Sequence, residues 1–221
     1  MDCTVISDLH GYRPKLAGGD VLIIAGDFNA RESWDAYLNF QIWLNEQEYQ
    51  QIILVPGNHD TMCQDSDVVD DLLYEHTYLC DSGIDIEYHG DEGEKKTFKV
   101  WGSPWTKTFE NMNPKCKAFT YDTEEQLAEK FNLIPYDIDI LITHSPPFTV
   151  LDKVEEGLQV GSTVLMGNFV GGFIGPKLWV FGHIHEGYGQ AKMNWSDTIF
   201  INASHVNERY EPVNAPIRIE L

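Results

Sequence analysis

The chain has 221 residues, of which 43% are hydrophobic and 12% aromatic, so it can bury a sizeable core, and we expect one domain over residues 1–221. Its formal net charge is −20 at pH 7. That field repels phosphate backbones and anionic lipid surfaces, so we expect neither a nucleic-acid polymer nor a membrane as partner. The longest apolar run, residues 21–25, is far shorter than the roughly 20 residues that span a bilayer.

The amino-terminal residues MDCTVISDLH have the pattern of a strand and its exit, not that of a secretory leader. The four cysteines show no CxxC spacing; they are Cys3, Cys63, Cys80 and Cys116. We therefore expect free thiols in a reducing, cytoplasmic environment, with a disulfide between two of them as the alternative.

Six short apolar segments, rich in β-branched residues, predict strands that are covered on both faces. They are residues 3–7, 20–25, 51–55, 139–143, 178–182 and 198–202. Helices are predicted between them, over residues 33–48, 123–132 and 161–170, and the acidic run 65–71 predicts a solvated helix start. Thr123 and Gln126 have capping-box spacing at the start of the second helix, and Pro135 follows its end.

In the first predicted helix, five apolar residues recur at roughly helical spacing: Trp34, Tyr37, Leu38, Ile42 and Leu44. Further along, residues 85–90 and 95–102 predict a hairpin around the charged turn 91–94. Residues 190–195, 198–203 and 216–221 predict antiparallel strands near the end of the chain. Early alternation of helix and strand, followed by strands, indicates an α/β sandwich of two stacked mixed sheets with helices outside.

Polar residues follow five of the predicted strands at the point where each strand ends. The junction sequences are Asp8-Leu9-His10-Gly11, Gly26-Asp27, Pro56-Gly57-Asn58-His59-Asp60, His144, and Gly182-His183-Ile184-His185. Each alone is also ordinary turn chemistry. Because ligands of α/β sheets bind outside the carboxyl ends of the strands, the recurrence predicts that these side chains converge on one site.

The types of side chain at these junctions indicate a metal centre. Residues two apart in an extended chain point to the same side, so we expect Asp8 to converge with His10, and His183 with His185. The candidate ligands are two carboxylates, one amide and four imidazoles, namely Asp8, His10, Asp27, Asn58, His144, His183 and His185. They suit two divalent ions about 3.5–4 Å apart, bridged by Asp27. Such a nitrogen and oxygen set favours Mn²⁺, with Fe, Zn, Ni or Mg as alternatives.

In this order, the motifs DLH, GD, GNHD, TH and GHIH resemble those of the calcineurin-like metallophosphoesterases. The stretches GSPW, ITHSPP, LWVFGHIHEGYGQ and FINASHVNERY are similar to the small metallophosphoesterase domain-containing proteins, which resemble class III cyclic-nucleotide phosphodiesterases. The resemblance implies a four-layer αββα sandwich. It also implies two ligand sets, one of Asp8, His10, Asp27 and His185 and the other of Asp27, Asn58, His144 and His183.

For catalysis, we expect the ions to lower the pKa of a bound water, so that hydroxide attacks phosphorus in line. His59 lies beside Asn58 and is the candidate acid that protonates the leaving oxygen; its alternative is a hydrogen-bonded turn residue. Many relatives carry an acidic residue three positions after the bridging aspartate, where this chain has Ala30. Asp60 is then the candidate that orients His59.

The motifs therefore predict a dinuclear hydrolase of small phosphodiesters, cyclic nucleotides included. The alternatives are a phosphomonoesterase or protein phosphatase and a non-catalytic scaffold on the same fold. GDFNARES and GNHD differ from the GDxxDRG and GNHE of Ser/Thr protein phosphatases, and the net charge of −20 disfavours a nuclease. Arg31 and Trp105 are candidate substrate contacts, and the alternative for Arg31 is a solvated residue at the start of a helix. Trp105 and Tyr188 are candidates to stack on a base, and their alternative is burial beside the site.

Overall fold

A computed structural model describes residues 1–90, 93–109 and 112–221. The first large sheet has five strands, in the spatial order β13 (Ile217–Glu220), β1 (Asp2–Ile6), β2 (Gly19–Ile24), β3 (Tyr49–Leu54) and β4 (Thr77–Tyr78). Strands β1 to β4 are parallel, and β13 is antiparallel to β1 at the edge.

The second large sheet has six strands, in the spatial order β11 (Gly189–Lys192), β12 (Ile199–Asn202), β10 (Leu178–Phe181), β9 (Ile140–Thr143), β6 (Lys95–Ser103) and β5 (Ser82–His89). Its four central strands are parallel, and the outer strands β11 and β5 are antiparallel to their neighbours. A small parallel pair consists of β7 (Thr106–Lys107) and β8 (Thr120–Tyr121).

Four helices accompany the sheets within the described residues: α1 (Trp34–Asn45), α2 (Ser66–Leu72), α3 (Glu124–Phe131) and α4 (Thr163–Val170). Each begins after a residue whose side chain accepts a hydrogen bond from a backbone N–H of the first turn; these are Ser33, Asp65, Thr123 and Ser162. The capping box predicted at Thr123 is confirmed, because Gln126 bonds back to the cap backbone.

Successive residues of each central strand face opposite sides of its sheet, and this divides the molecule into layers. In β2, Val21 and Ile23 pack between the two sheets, while Leu22 and Ile24 face the core under α1 and α2. The second sheet repeats this pattern, with one face of β10 in the same central core and its other face under α3 and α4. Since both faces of the central strands are covered, their sequences are continuously apolar. The predicted αββα sandwich is confirmed.

All six predicted apolar strands are present, within two residues of their expected limits. The antiparallel hairpin of β5 and β6 is also present, although residues 91 and 92 of its predicted turn lie outside the described residues. The expectation for the carboxyl-terminal strands was only partly correct. Strands β11 and β12 pair with each other, but β12 also runs parallel to β10, and β13 joins the other sheet.

The apolar face expected for α1 was wrong in part. Tyr37 and Leu44 are buried, but Trp34, Leu38 and Ile42 are 40–51% exposed. Phe40 and Trp43 are buried in their place, and Arg13 lies over both of their rings. With apolar residues around most of the helix, spacing alone does not select the buried side.

All four cysteines are free thiols, as expected. Among the described residues, no helix is both long and apolar enough to cross a membrane.

Candidate metal centre

The five polar junctions meet at the carboxyl ends of β1, β2, β3, β9 and β10. Three groups of ligand-type atoms each lie within 4.8 Å of one another. They are Asp8 with His10 and His185, Asp8 with Asp27 and His144, and His10 with Asp27 and His59. Backbone bonds from Ser7 N–H to the Ala203 carbonyl and from His205 N–H to the Ser7 carbonyl, both 2.8 Å, join the two sheets beside these groups.

Asp27 lies at the centre of these contacts. Its Oδ1 is 3.4 Å from Nε2 of His144, and its Oδ2 is 3.7 Å from Nε2 of His10. The two oxygens of this carboxylate therefore face different imidazoles, His144 at Oδ1 and His10 at Oδ2.

The two histidines of the GHIH motif serve different halves. The His183 ring lies 5.1 Å from that of His144, whereas Nε2 of His185 is 3.4 Å from both Asp8 Oδ1 and His10 Nε2. Both histidines line the same cleft, as expected, but they contact different neighbours. The expectation assumed an extended chain, whereas φ is +68° at His183.

Left-handed backbone also occurs at three of the other predicted ligands, with φ of +51° at Asp8, +41° at His10 and +57° at Asp27. Such angles cost free energy in residues other than glycine and are concentrated at functional sites. Asp8 and His10 do lie together, but through this turned backbone and not through strand alternation. At these residues, the fold keeps the geometry of the site at the cost of a strained backbone.

Two ligand histidines are oriented by backbone carbonyls. Nδ1–H of His144 donates to the Ala25 carbonyl at 2.8 Å, and Nδ1–H of His185 donates to the Asn207 carbonyl at 3.0 Å. In both rings, Nε2 then faces the carboxylates. This arrangement fixes ring orientation in metal sites.

Asn58 is held in a similar way. Its Nδ2 donates to the Cys116 carbonyl at 2.9 Å, which leaves Oδ1 directed towards Nε2 of His144 at 3.1 Å. The amide oxygen, the atom through which an asparagine side chain can bind a metal ion, thus faces the site. All seven predicted ligands therefore line one region, with Asn58 and His183 on the His144 side.

Glycines beside the candidate ligands allow these side chains to lie so close to the backbone and to one another. An added Cβ would lie 2.2 Å from Asp27 Oδ1 at Gly57, 2.1 Å from Asp8 Oδ2 at Gly182, and 2.3 Å from the His144 ring at Gly26. No other residue fits at these positions unless a ligand moves.

Asp60 holds two of the ligand loops together. Its carboxylate accepts backbone N–H bonds from Asp27 and Phe28, both 2.9 Å, and from Gly57 at 2.7 Å. The proposal that Asp60 orients His59 is not supported by these contacts, because its oxygens are directed at the backbone. The earlier expectation treated the GNHD motif as local, whereas Asp60 acts across the strand ends.

His59 itself lies against the centre. Its backbone N–H donates to Asp27 Oδ1 at 2.9 Å, its Nε2 is 3.9 Å from Asp27 Oδ2, and its ring meets that of His10 edge-on at 4.7 Å. The side chain is 22% exposed, and it lines the adjoining cleft. It is thus accessible to a molecule bound at the centre.

Burial and the charges of neighbouring side chains determine which groups of the centre carry a proton. Burial alone would raise the pKa of Asp27, but His144 and His59 hold it well below its usual value. Burial likewise opposes the charged form of His144, yet Asp27 raises the pKa of that imidazole to about 9. Burial lowers the pKa of His183 to about 3 and that of His10 to about 4. Two buried carboxylates beside imidazoles, of which His10 and His183 are held neutral, form a donor set that fits divalent cations, and a bound cation would displace the proton of His144.

An open cleft of about 880 Å³ extends from the centre. Its lining includes Asp27, Asn58, His59, His183 and His185. It also includes Tyr210, which the sequence reasoning missed because it lies in a loop after β12, far from any ligand motif. Ser204, whose hydroxyl donates to Asp8 Oδ2 at 2.8 Å, was missed for the same reason.

The expected substrate contacts are not brought to the cleft lining. Trp105 donates from Nε1 to Asp81 at 2.8 Å and stacks on Tyr121, with ring centroids 4.9 Å apart. Tyr188 donates to the Ala215 carbonyl at 2.8 Å, and Arg31 is exposed outside the lining. Packing against neighbours explains the two aromatic residues.

Comparison with known proteins agrees with this geometry. The sequence profile described as calcineurin-like phosphoesterase matches residues 1–187. The chain belongs to the calcineurin-like phosphoesterase family. Membership supports a metal-dependent phosphoric ester hydrolase, and the clustered aspartates and histidines supply candidate metal ligands.

Among its relatives, the chain is 34% identical to human and mouse metallophosphoesterase domain-containing protein 1, over 98% of this chain and 69% of each relative. It is 30% identical to a UPF0046 protein of Caenorhabditis elegans, over 94% of this chain and 56% of that protein.

Solved structures support the fold alone. One aligns with a TM-score of 0.60 at 15% identity, over 91% of this chain and 89% of its own. GAP50, described as the anchor in the inner membrane complex of Plasmodium, aligns with a TM-score of 0.55 at 10% identity, over 100% of this chain and 77% of its own.

Proposed function

We propose that this family member is a dinuclear phosphodiesterase, with Mn²⁺ as the first-choice metal and small phosphodiesters, cyclic nucleotides included, as substrates. The observation that carries the proposal is the position of Asp27, whose Oδ1 faces His144 and whose Oδ2 faces His10. One carboxylate between two sets of imidazoles matches two adjacent cation sites better than one.

The proposed ligand sets follow the two halves. His10 lies with Asp27 Oδ2, and Asp8 and His185 lie with His10. His144 lies with Asp27 Oδ1, and Asn58 and His183 lie with His144. Asp8 also groups with Asp27 and His144, so it borders both halves. Divalent ions bound there would supply an acidified water as nucleophile and would neutralise charge on the phosphoryl oxygens. The protein fixes the donors beforehand through the carbonyls of Ala25 and Asn207.

We assign His59 the role of general acid. Its partly exposed imidazole borders both Asp27 and the cleft, so it can reach the ester oxygen of a phosphate held at the centre. Its Nε2 lies 3.9 Å from Asp27 Oδ2 and its ring meets that of His10 edge-on, so its position is set by contacts other than an acidic residue at position 30, where the chain has Ala30.

Charge around the cleft favours a diester over a monoester. A monoester at neutral pH is a dianion, whereas a diester carries one negative charge. In the described lining of the cleft, Lys107 is the lone lysine or arginine, and it lies among Glu124, Glu186 and Glu208. Arg13 is turned away, towards the Phe28 carbonyl and Asn29. Beyond the reach of the bound ions, a further substrate charge would therefore be poorly compensated, whereas the second, uncharged ester group of a diester can enter the cleft.

Metal-reconstituted protein tests the proposal directly. We expect kcat/KM for bis-4-nitrophenyl phosphate to exceed that for 4-nitrophenyl phosphate by about tenfold or more, since each uncompensated charge costs about 1 kcal/mol or more. Equal or reversed preference would favour the phosphomonoesterase alternative. Measurement of bound metal tests the remaining alternative, a non-catalytic scaffold on the same fold. Less than one ion per chain after reconstitution would favour that alternative.

We also propose a cytoplasmic location, which the four free thiols support.

A further inference from the structure

Tyr210 covers the metal centre from the cleft side. Its ring centroid lies 4.8 Å from that of His10, 5.3 Å from that of His185 and 6.5 Å from that of His59. The residue is nevertheless 48% exposed, and it lines the cleft. An aromatic ring that touches three site histidines while half its surface faces open space is not explained by core packing.

The backbone shows that this position is built into the fold. Tyr210 has φ of +60°, a conformation that is strained for a bulky residue. The loop that holds it is closed by Asn207, whose Oδ1 accepts from the N–H groups of Arg209 and Glu211, at 3.0 and 2.9 Å. Tyr12 also donates to the Tyr210 carbonyl at 3.2 Å.

The same loop orients a metal-ligand candidate. The Asn207 carbonyl that accepts from the Tyr210 N–H at 2.9 Å also accepts from Nδ1–H of His185 at 3.0 Å. One short loop therefore fixes a ligand imidazole and places an aromatic ring above it.

Apolar side chains line the same cleft as Tyr210. Phe109, which is 60% exposed, lines it together with Met112, Phe148 and Val160. Exposed aromatic side chains that border a concave site are typical of ligand pockets. The shape of this surface suits a flat, apolar group attached to a phosphate at the centre.

Charge restricts that group further. Glu124, Glu186 and Glu208 border the cleft, and Lys107 is the single cationic lysine or arginine in its described lining. A substituent with its own negative charge would therefore be disfavoured.

We propose that Tyr210 and Phe109 form a subsite for a flat, uncharged ester group, and that Tyr210 determines specificity for it. The phosphate assignment of the adjoining centre rests on the proposed function, whereas ring preference is a separate property of the cleft.

Binding of phosphonates tests the subsite without requiring turnover. Mn²⁺-loaded protein is titrated calorimetrically with methylphosphonate, phenylphosphonate and 4-carboxyphenylphosphonate. We expect the phenyl compound to bind about tenfold more tightly than the methyl compound, the size of one favourable aromatic contact with its burial. The carboxylated ring should bind about fivefold more weakly than the phenyl compound, as one like-charge contact near the surface predicts.

Substitutions in the subsite distinguish the effect of the aromatic ring from an effect on the fold. Tyr210→Asn removes the ring at a backbone angle that asparagine tolerates, and it should abolish most of the phenyl preference, whereas Tyr210→Phe should keep it. Phe109→Ala, at an exposed position, should also reduce the preference. Tyr136→Ala is the matched control, because Tyr136 is 79% exposed and lies outside the cleft.

The outcomes distinguish this proposal from the proposed function. If wild type shows no phenyl preference, or if Tyr210→Asn and Phe109→Ala both retain it, the subsite is overturned whatever the protein hydrolyses. If the ring preference and its loss in the variants are observed but diester hydrolysis is absent, the subsite stands and the proposed function fails.

Discussion

Asp27 is the residue on which both halves of the centre depend. It is 2% exposed, it contacts His10, His59 and His144, and its backbone has φ of +57°. Its negative charge is held in the interior by imidazoles, a balance that suits added cations.

Asp27→Asn should therefore abolish metal binding and turnover while preserving the fold. Asparagine is nearly isosteric and tolerates the left-handed backbone, so we expect the melting temperature of the metal-free protein to change little. Calorimetric titration with Mn²⁺ and thermal unfolding of the chelated protein check the two parts. Retention of two tightly bound ions would contradict the bridging role.

His59→Ala should slow hydrolysis according to the leaving group. With alkyl leaving groups, loss of the acid should lower kcat/KM by about 10²–10⁴-fold, whereas 4-nitrophenolate, a stable anion, should be affected much less. His89→Ala, at an exposed position in β5, is the control. A His59 variant with full activity on alkyl diesters would show that another group supplies the proton.

The strand-to-loop junctions are the elements that build the site. β1, β2 and β10 each end in a tight turn where a ligand follows the strand within four residues, and β1 and β2 lie parallel in one sheet. Asp60 then joins the turn after β2 to the turn after β3 by its three backbone hydrogen bonds, from Asp27, Phe28 and Gly57. The strands thus determine where each candidate ligand lies, and the turns determine the direction in which its side chain points.

Gly57→Ala tests how tightly these turns are packed. Its Cβ would lie 2.2 Å from Asp27 Oδ1 and 2.7 Å from the Asp27 backbone nitrogen. We expect metal affinity to fall by about tenfold or more, the effect typical of disturbing the support of a metal ligand. Gly175→Ala is the matched control, since a Cβ there meets nothing within 4 Å. Equal metal affinity in the two variants would mean that the Asp27 turn can relax without cost.

At the scale of the whole molecule, two acidic features combine. The chain has 35 aspartates and glutamates against 15 lysines and arginines, and its centre buries Asp8 and Asp27. Bound cations would reverse the potential locally while the remaining surface stays negative. Positive charge would then be concentrated where the sheets meet.

The stability of the metal-free fold should depend on pH through His183. Burial lowers its folded pKa to about 3, whereas the unfolded value is about 6.5. The unfolded chain therefore binds the extra proton, and the contribution of this residue to stability falls as pH drops below about 6.5. Relative to His183→Asn, wild type should lose up to about 1.4 kcal/mol of unfolding free energy per pH unit in that range.

Denaturant unfolding of both proteins in chelator, from pH 7 to pH 5, measures this difference. Asparagine suits the φ of +68° at this position, so the variant should fold. A difference that does not change with pH would show that His183 is not held neutral by the fold.

The sequence by itself determined the elements and the chemistry of the junctions. Continuous apolar runs such as those of β2 and β10 predicted buried strands, because strands covered on both faces have no polar side. Thr123 and Gln126 predicted a helix start that the structure confirms, because capping is local. The candidate ligands were readable for the same reason, as each directly follows its strand.

Only the tertiary structure decided how these parts meet. Strand β13 pairs with β1, with Asp2 opposite Glu220, and no local pattern records a partner so distant. His183 and His185 face different neighbours because His183 has a left-handed backbone. Asp60 holds two loops together through hydrogen bonds that cross between them. Tyr210 reaches the centre through loop closure at Asn207. Spacing predicts neighbours along regular elements, whereas turns and long-range contacts are fixed by packing of the whole chain.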